Sequence, residues 1–308
     1  MKHWTTYPLL SHPLNPEFVT GEGLARFARA AEAAGFQGLG FTDHPAPSHK
    51  WLMAGGHDAL DPFAALSYVA AVTEHLRLIP NIVVLPYRNP FLVAKSAATI
   101  DAMSGGRFVL SVAIGYLRSE YRSLGVDFDR RNELFDEALD VLRGVWTTDE
   151  FAFEGSGYTA SGVSAYPKPD HVPIWIGGNS ALTRRRVAKH GDGWNPFPAA
   201  AQLAQTARTQ VLETAEDLAP MIEHLHRHVE AEGRDPATVD IAFTTTLPGA
   251  GNNSFNADAE LEQQARLAEL GVTWCSTGVP GDSLERAIEA VERYGTEVIA
   301  ASRLPSAR

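Results

Sequence analysis

The chain is almost without cysteine. Among 308 residues only Cys275 occurs, so a disulfide framework is impossible, and a reducing compartment is the expectation. Cys275 lies inside the apolar run GVTWCSTGV, where a small buried hydrophobe is its simplest role. No window approaches the roughly 20 apolar residues of a membrane-spanning helix. The opening MKHWTTYPLL lacks the apolar core of a secretion signal, which gives the expectation of a cytoplasmic protein. Positive charge is also short: 26 Lys and Arg against 37 Asp and Glu give a formal net charge of −11. Phosphate backbones want a basic face, so nucleic acid is not an expected partner. An anionic small molecule requires a local cluster of donors instead.

No repeat is visible letter by letter, and no G-x-G-x-x-G follows the first strand, so the dinucleotide fingerprint is missing. What is present is alternation. Short β-type runs precede helical patterns, as in FQGLGFT before DPFAALSYVAAVTEH and LRLIPNIVVLP before NPFLVAKSAATIDAM. Leu24, Phe27, Ala28 and Ala31 fall at i, i+3, i+4 and i+7 of the first helix. The last long helical pattern of the sixth pair begins at APMIEHLHRHVEAEG. Eight strand-helix pairs predict an α/β fold, a (β/α)8 TIM barrel, spanning residues 1–308 as a single domain. The segment 147–172 reads as a hairpin-like excursion before strand 5, and 244–257, rich in Gly and Asn, as a lid loop.

In such a barrel the strand ends build the site. Strand 2 ends on Asp43-His44, an adjacent carboxylate and imidazole. Asn81 interrupts strand 3, where a buried amide needs a partner or a backbone irregularity. Strand 4 ends on Gly115, with the phenol of Tyr116 at the rim. Strand 5 runs through Gly177, Gly178 and Asn179 into a helix capped by Ser180, an arrangement suited to an anion. Arg184, Arg185 and Arg186 follow near that helix start, where cations oppose the dipole. Successive helical residues diverge by about 100°, so at most one or two of the three can face one ligand. Together these features predict a slot for a flat cofactor with a phosphorylated tail.

Long stretches then resemble a known family. GFQGLGFTDH, LPYRNPFLVAKSAATIDAMSGGRFVLSVAIGYLRSEYRSLGVDFDRR, ELFDEALDVLRGVW, PIWIGGNS and GDGWNP are similar to the luciferase-like monooxygenase superfamily, in the branch that uses the deazaflavin coenzyme F420. The resemblance covers roughly residues 20 to 300. It implies an F420-dependent oxidoreductase that moves a hydride between cofactor and a small organic substrate, and a homodimer. His44 would be the catalytic acid or base beside the ring. Asp43 would bind the ring edge, and Asn81-Ile82 would be a cis peptide backing the ring. Gly115 and Tyr116 would flank the cofactor, and Gly177, Gly178, Asn179, Ser180 and Arg184 would hold its anionic end. Tyr116 stands where sugar-phosphate dehydrogenases of the family carry a glutamate, which argues against a sugar phosphate. Trp51 lies further from the histidine than the family's tryptophan does. Loops 45–60, 117–129 and 244–257 would shape the substrate pocket.

Other readings stay open on the residues alone. An FMN-dependent monooxygenase would use the same fold. A metal-dependent barrel hydrolase would use Asp43, His44, His49, His57 and Asp58. His224 and His228, at i and i+4, share a helical face that reads more simply as solvated surface. A protein that binds a cofactor without turnover is a third class.

Overall fold

The computed structural model describes residues 1–302. Its parallel strands are β1 (Lys2–Thr6), β2 (Gly38–Phe41), β3 (Arg77–Pro80), β4 (Val83–Val84) and β5 (Leu110–Ala113). An antiparallel pair follows, β6 (Phe151–Glu154) with β7 (Thr159–Val163). Then come β8 (Ile174–Gly177), β9 (Gly193–Asn195), β10 (Asp240–Thr244) and β11 (Trp274–Thr277). The parallel segments are hydrogen-bonded in the order β3-β2-β1-β11-β10-β9-β8-β5-β4. Because β3 and β4 are two pieces of one strand, the ends of that order meet, and a parallel bridge between Leu78 and Phe108 helps draw the ring together. The nine segments thus make a nearly closed TIM-type barrel with eight strand positions.

Helices α1 (Gly21–Ala33), α2 (His49–Met53), α3 (Pro62–Val72), α4 (Pro90–Ser104), α5 (Arg118–Ser123) and α6 (Arg131–Thr147) occupy the first half of the chain. The second half carries α7 (Ala181–His190), α8 (Ala201–Ala207), α9 (Ala215–Ala231), α10 (Ala257–Glu269) and α11 (Leu284–Tyr294). Their starts follow local chemistry. The Asp61 carboxylate accepts from the N–H groups of Phe63 and Ala64, both at 3.0 Å, and Pro62 opens α3. Helix α9 starts at Ala215, earlier than the run APMIEH suggested, because Thr214 and Asp217 form a capping box. Pro220 therefore sits inside the helix and removes one backbone hydrogen bond from its early turns.

The main core lies between the strands and the helices, and takes Leu24, Phe27, Ala28 and Ala31 from α1. A second buried cluster fills the barrel's interior: Trp4, Ile79, Val109, Trp175, Ala242 and Trp274. Trp175 meets Trp4 and Trp274 edge to face, at 6.4 and 5.4 Å between centroids. Cys275 is buried, and burial pushes its thiol up to about 12. Of the loop 244–257, Ala250 and Phe255 are buried in the main core. No helix among the described residues is long and apolar enough to cross a membrane.

Candidate active site

Strand ends converge on a cavity of about 360 Å3 at the carboxyl end of the barrel. Its polar floor comes from inward-facing strand residues. Asn81 Nδ2 donates to Thr6 Oγ1 at 3.0 Å, and Asn81 Oδ1 accepts from Asn195 Nδ2 at 3.2 Å. Asn195 Nδ2 also reaches Ser111 Oγ at 3.3 Å. The half-buried amide that interrupts strand 3 is thus held by neighbours across the barrel. The Asn81–Ile82 peptide is cis. Ile82, Val84, Ala113 and Ile114 supply apolar wall. A Cβ at Gly177 would lie 2.1 Å from Ile82 Cδ1, so any larger residue would push that side chain aside in the cavity wall. Gly115 has φ +67°, and a Cβ would lie 2.5 Å from Val84 Cγ1.

At one edge of the cavity stands His44. Its Nδ1 lies 3.1 Å from Glu120 Oε2, and Glu120 is fully buried. Glu120 accepts twice more, from Tyr87 O–H at 3.2 Å and from the Ala46 N–H at 3.1 Å. A carboxylate offers no proton, so it holds the imidazole proton on Nδ1 and leaves the Nε2 lone pair free. Among the described residues Nε2 has no hydrogen-bond partner. Burial first, then the charge of Glu120, raises the Tyr87 phenol well above its ordinary value and keeps it a donor. The Trp51 ring packs 4.5 Å from the His44 ring, and His57 meets His44 edge-on at 4.9 Å. Burial holds His57 below the ordinary histidine value. Tyr116 lines the cavity; burial and then Glu120 raise its phenol, against a hydrogen bond with Trp51. Glu120, Tyr87 and Trp51 therefore surround His44, so a carboxylate reaches it although Tyr116 stands at the family's glutamate position.

Asp43 also lines the cavity, but most of its acceptor capacity is used. Arg88 pairs with it bidentately at 2.5 and 2.9 Å, and the Val84 N–H donates at 2.9 Å. Burial pushes the carboxyl up, and the Arg88 guanidinium with the Val84 N–H oppose that shift. The pair ties the end of β2 to the segment after β4, so Asp43 shapes the wall that His44 stands on.

The opposite end is the turn into α7. Gly178, Ser180 and Thr183 line the cavity, joined by Ala207, Arg208 and Thr209 from the end of α8. The expected nest of free N–H groups is partly spent. Gly178 N donates to Asn195 O at 3.2 Å, and Asn179 N to Thr209 Oγ1 at 3.0 Å. The Asn179 side chain is fully buried and clamps Phe197 and Gln210. Of the first N–H groups of α7, that of Thr183 donates to Ser180 Oγ at 3.1 Å, and those of Ala181 and Leu182 have no intrahelical acceptor. The arginine run diverges as helical geometry requires. Arg184 turns behind the turn, onto Asn179 O at 2.7 Å, His224 Nδ1 at 3.2 Å and Gln210 Oε1 at 3.1 Å. Arg186 pairs with Asp136 at 2.5 Å, and Arg185 is exposed. None of the three lines the cavity; Arg208 does.

The remaining candidates separate. His12 takes Asp58, at 2.8 Å, and no group of three His, Cys, Asp or Glu suited to a metal ion exists among the described residues. His224 and His228 touch each other through Nε2 at 3.3 Å, with His224 also bound to Arg184. Of the loop 244–257 only Thr244 lines the cavity, and 117–129 contributes through Glu120 rather than by direct lining.

A family model of luciferase-like monooxygenases matches residues 12–271. This chain belongs to the luciferase-like monooxygenase family. An uncharacterized protein of Mycobacterium tuberculosis is 32% identical over 180 residues, 54% of this chain and 62% of that relative. An FMNH(2)-dependent dimethylsulfone monooxygenase of Pseudomonas putida is 30% identical over 174 residues, 54% of this chain and 46% of its own. Both alignments span less than two thirds of those relatives. Among solved structures, the monooxygenase RslO1 from Streptomyces bottropensis superposes with a TM-score of 0.78 at 18% identity, covering 98% of this chain and 100% of its own. An F420-dependent secondary alcohol dehydrogenase in complex with an F420-acetone adduct superposes at 0.75 and 17%, covering 97% and 98%. At such identities these likenesses concern the fold. The proteins it resembles thus include an FMNH(2)-dependent enzyme in sequence and an F420-dependent one in fold.

Proposed function

We propose that this luciferase-like protein is an F420-dependent oxidoreductase acting on a small organic substrate. The supporting observation is the cavity with unlike ends: an imidazole bonded through Nδ1 to buried Glu120 at one end, and the α7 start with Thr183, Thr209 and Arg208 at the other. The residues suit the cofactor. Apolar Ile82, Val84, Ala113 and Ile114 fit a flat ring, the glycines at 115 and 177 leave it room, and the hydroxyls and N–H groups at α7 suit a phosphate. At about 360 Å3 the cavity has the size typical of small-molecule sites.

When bound, F420 supplies two-electron hydride chemistry with little reactivity toward oxygen. A hydroxyl being oxidised, or a carbonyl being reduced, must also lose or gain one proton at oxygen. His44 Nε2 is the group that takes or returns it, while Glu120 holds Nδ1–H and stabilises the charged ring. Trp51 and His57 close over that imidazole and limit water there. An FMN-dependent monooxygenase is the second reading, favoured by the Pseudomonas putida relative. Fluorescence titration of the apo protein with F420 and with FMN tests the choice. Tighter binding of F420, followed by oxygen-independent change of its absorbance with an alcohol or carbonyl panel, is the expected result. Tight FMN binding, with oxygen uptake once an added reductant has converted the FMN to its reduced form, refutes the deazaflavin reading.

A further inference from the structure

The run Arg184–Arg186 does not line the cavity, yet a different set of arginines stands beyond the α7 end. Arg118, Arg131 and Arg208 lie around one aromatic ring, with their guanidinium carbons 4.1, 4.0 and 5.2 Å from the Phe128 centroid. They come from the start of α5, the start of α6 and the end of α8, so the fold gathers them from three separate elements. Arg208 lines the cavity and adjoins Thr209, whose hydroxyl fixes Asn179. The cluster is therefore continuous with the cavity's anion-suited end. In a chain of net charge −11 this concentration of cations stands out.

The carboxylate bonded to this set is Asp129, 3.0 Å from Arg118 and largely exposed. Three guanidinium groups with one carboxylate leave the cluster net positive. Local helix chemistry points the same way. Arg131 is the first residue of α6, and the cap before it, Arg130, makes no side-chain capping bond. Arg118 is likewise the first residue of α5 after an uncapped Leu117. Cations at helix starts oppose the dipole, and places where a sequence breaks such a rule are where function is expected. Burial, and then the charges of Arg208 and Arg118, hold the Arg131 guanidinium below its ordinary value, against the attraction of Tyr121. A guanidinium stacked on an aromatic face keeps its in-plane N–H groups for a carboxylate or phosphate.

We propose that Arg118, Arg131 and Arg208 form a second anion subsite, past the α7 end, that takes the carboxylates of a cofactor's polyanionic tail. This rests on the F420 reading, because the F420 tail ends in glutamates whereas FMN ends at its phosphate. It transfers the role the sequence assigned to 184–186 onto residues that the fold assembles. It also makes tail length a determinant of affinity.

The test uses the full-length protein and fluorescence titration at low and high salt. The probes are F420 with short and with long glutamate tails, and the tail-free, phosphate-free deazaflavin. Arg118→Ala and Arg208→Ala are each expected to weaken F420 binding roughly twofold to fivefold, and together about tenfold at low salt. The loss should grow with tail length, shrink at high salt, and leave tail-free deazaflavin binding within about twofold. Melting curves check folding; if Arg208→Ala is unstable, the exposed Arg118→Ala carries the comparison alone. F420 affinity unchanged in the variants, or an equal loss for tailed and tail-free probes, overturns the subsite while leaving the cofactor reading intact. No F420 binding by the unaltered protein overturns both.

Discussion

Glu120→Gln is the most informative single change in the site. Three donors converge on the two Glu120 oxygens: His44 Nδ1 at 3.1 Å, Tyr87 O–H at 3.2 Å and the Ala46 N–H at 3.1 Å. Glutamine keeps the shape but has one acceptor oxygen, so at least one donor must face an NH2 group. Leaving one buried donor unmet costs about 1–3 kcal/mol. For 308 residues the unfolding entropy is about 0.65 kcal/mol/K, so the melting temperature should fall by roughly 2–5 °C. The larger effect is on His44. The cost in stability applies when the amide oxygen stays toward His44 and leaves the Ala46 N–H unmet; with its oxygen toward Ala46 instead, the amide donates to Nδ1, which moves the proton to Nε2 and removes the base from the cavity. Nitrogen-15 spectra of histidine-labelled protein read this directly: Nδ1–H in the unaltered protein, and a shift toward Nε2–H in the variant. Turnover should fall roughly 10–100-fold, as for loss of a group that orients a functional imidazole. In a His44→Ala background, Glu120→Gln should add almost nothing, because it acts through the imidazole. An Nε2–H tautomer in the unaltered protein, or independent and additive losses in the double variant, refutes the reasoning.

His44→Ala should leave cofactor affinity within roughly tenfold while slowing turnover by about 10²–10⁴; unchanged turnover in stopped-flow assays makes His44 a rim residue only. Arg88→Ala strips the buried Asp43 of its bidentate partner, and urea unfolding should show a loss of about 3–5 kcal/mol, partly recovered by adding Asp43→Asn. Gly177→Ala forces a methyl to 2.1 Å from Ile82 Cδ1, so cofactor titration should show affinity falling tenfold or more while circular dichroism keeps the barrel signal. Burial lowers both His57 and His190 in the folded chain. Below the ordinary histidine value of about 6.5 the unfolded chain then binds more protons, so stability falls as pH drops through that window; melting curves from pH 7.5 to 5 should show the decline, reduced in His57→Gln.

The barrel was readable because alternation of strand and helix is written locally, residue by residue. So were the corners of the site that rest on residue type at a strand end, such as His44, Gly115 and Gly177. What escaped depends on chain-distant approach. Glu120 lies 76 residues from His44 and occupies a short helix, RSEYRS, in the stretch 117–129 whose place at the pocket was expected without naming any one side chain. A signal was available: Glu120 follows Tyr116 by four residues, one helical turn into the loop at the strand end. Arg88, Asn195 and Thr209 likewise act through partners that no spacing rule connects to them. The arginine run misled for the reason that helices have sides. One arginine turned into the fold, one reached an acidic neighbour on α6 and one stayed in water. The lid expectation failed to allow for Ala250 and Phe255, two apolar residues in a Gly- and Asn-rich stretch, which anchor that loop in the core.

The indole plug of Trp4, Trp175 and Trp274 has an optical consequence. It fills the barrel's interior below the cavity, whose doorway lies at the carboxyl ends of the strands. The same three indoles lie beneath that doorway as fixed antennae. Any chromophore settling above them will drain their emission, so occupancy of this chamber can be followed with unlabelled protein, in real time, before a single substrate is known.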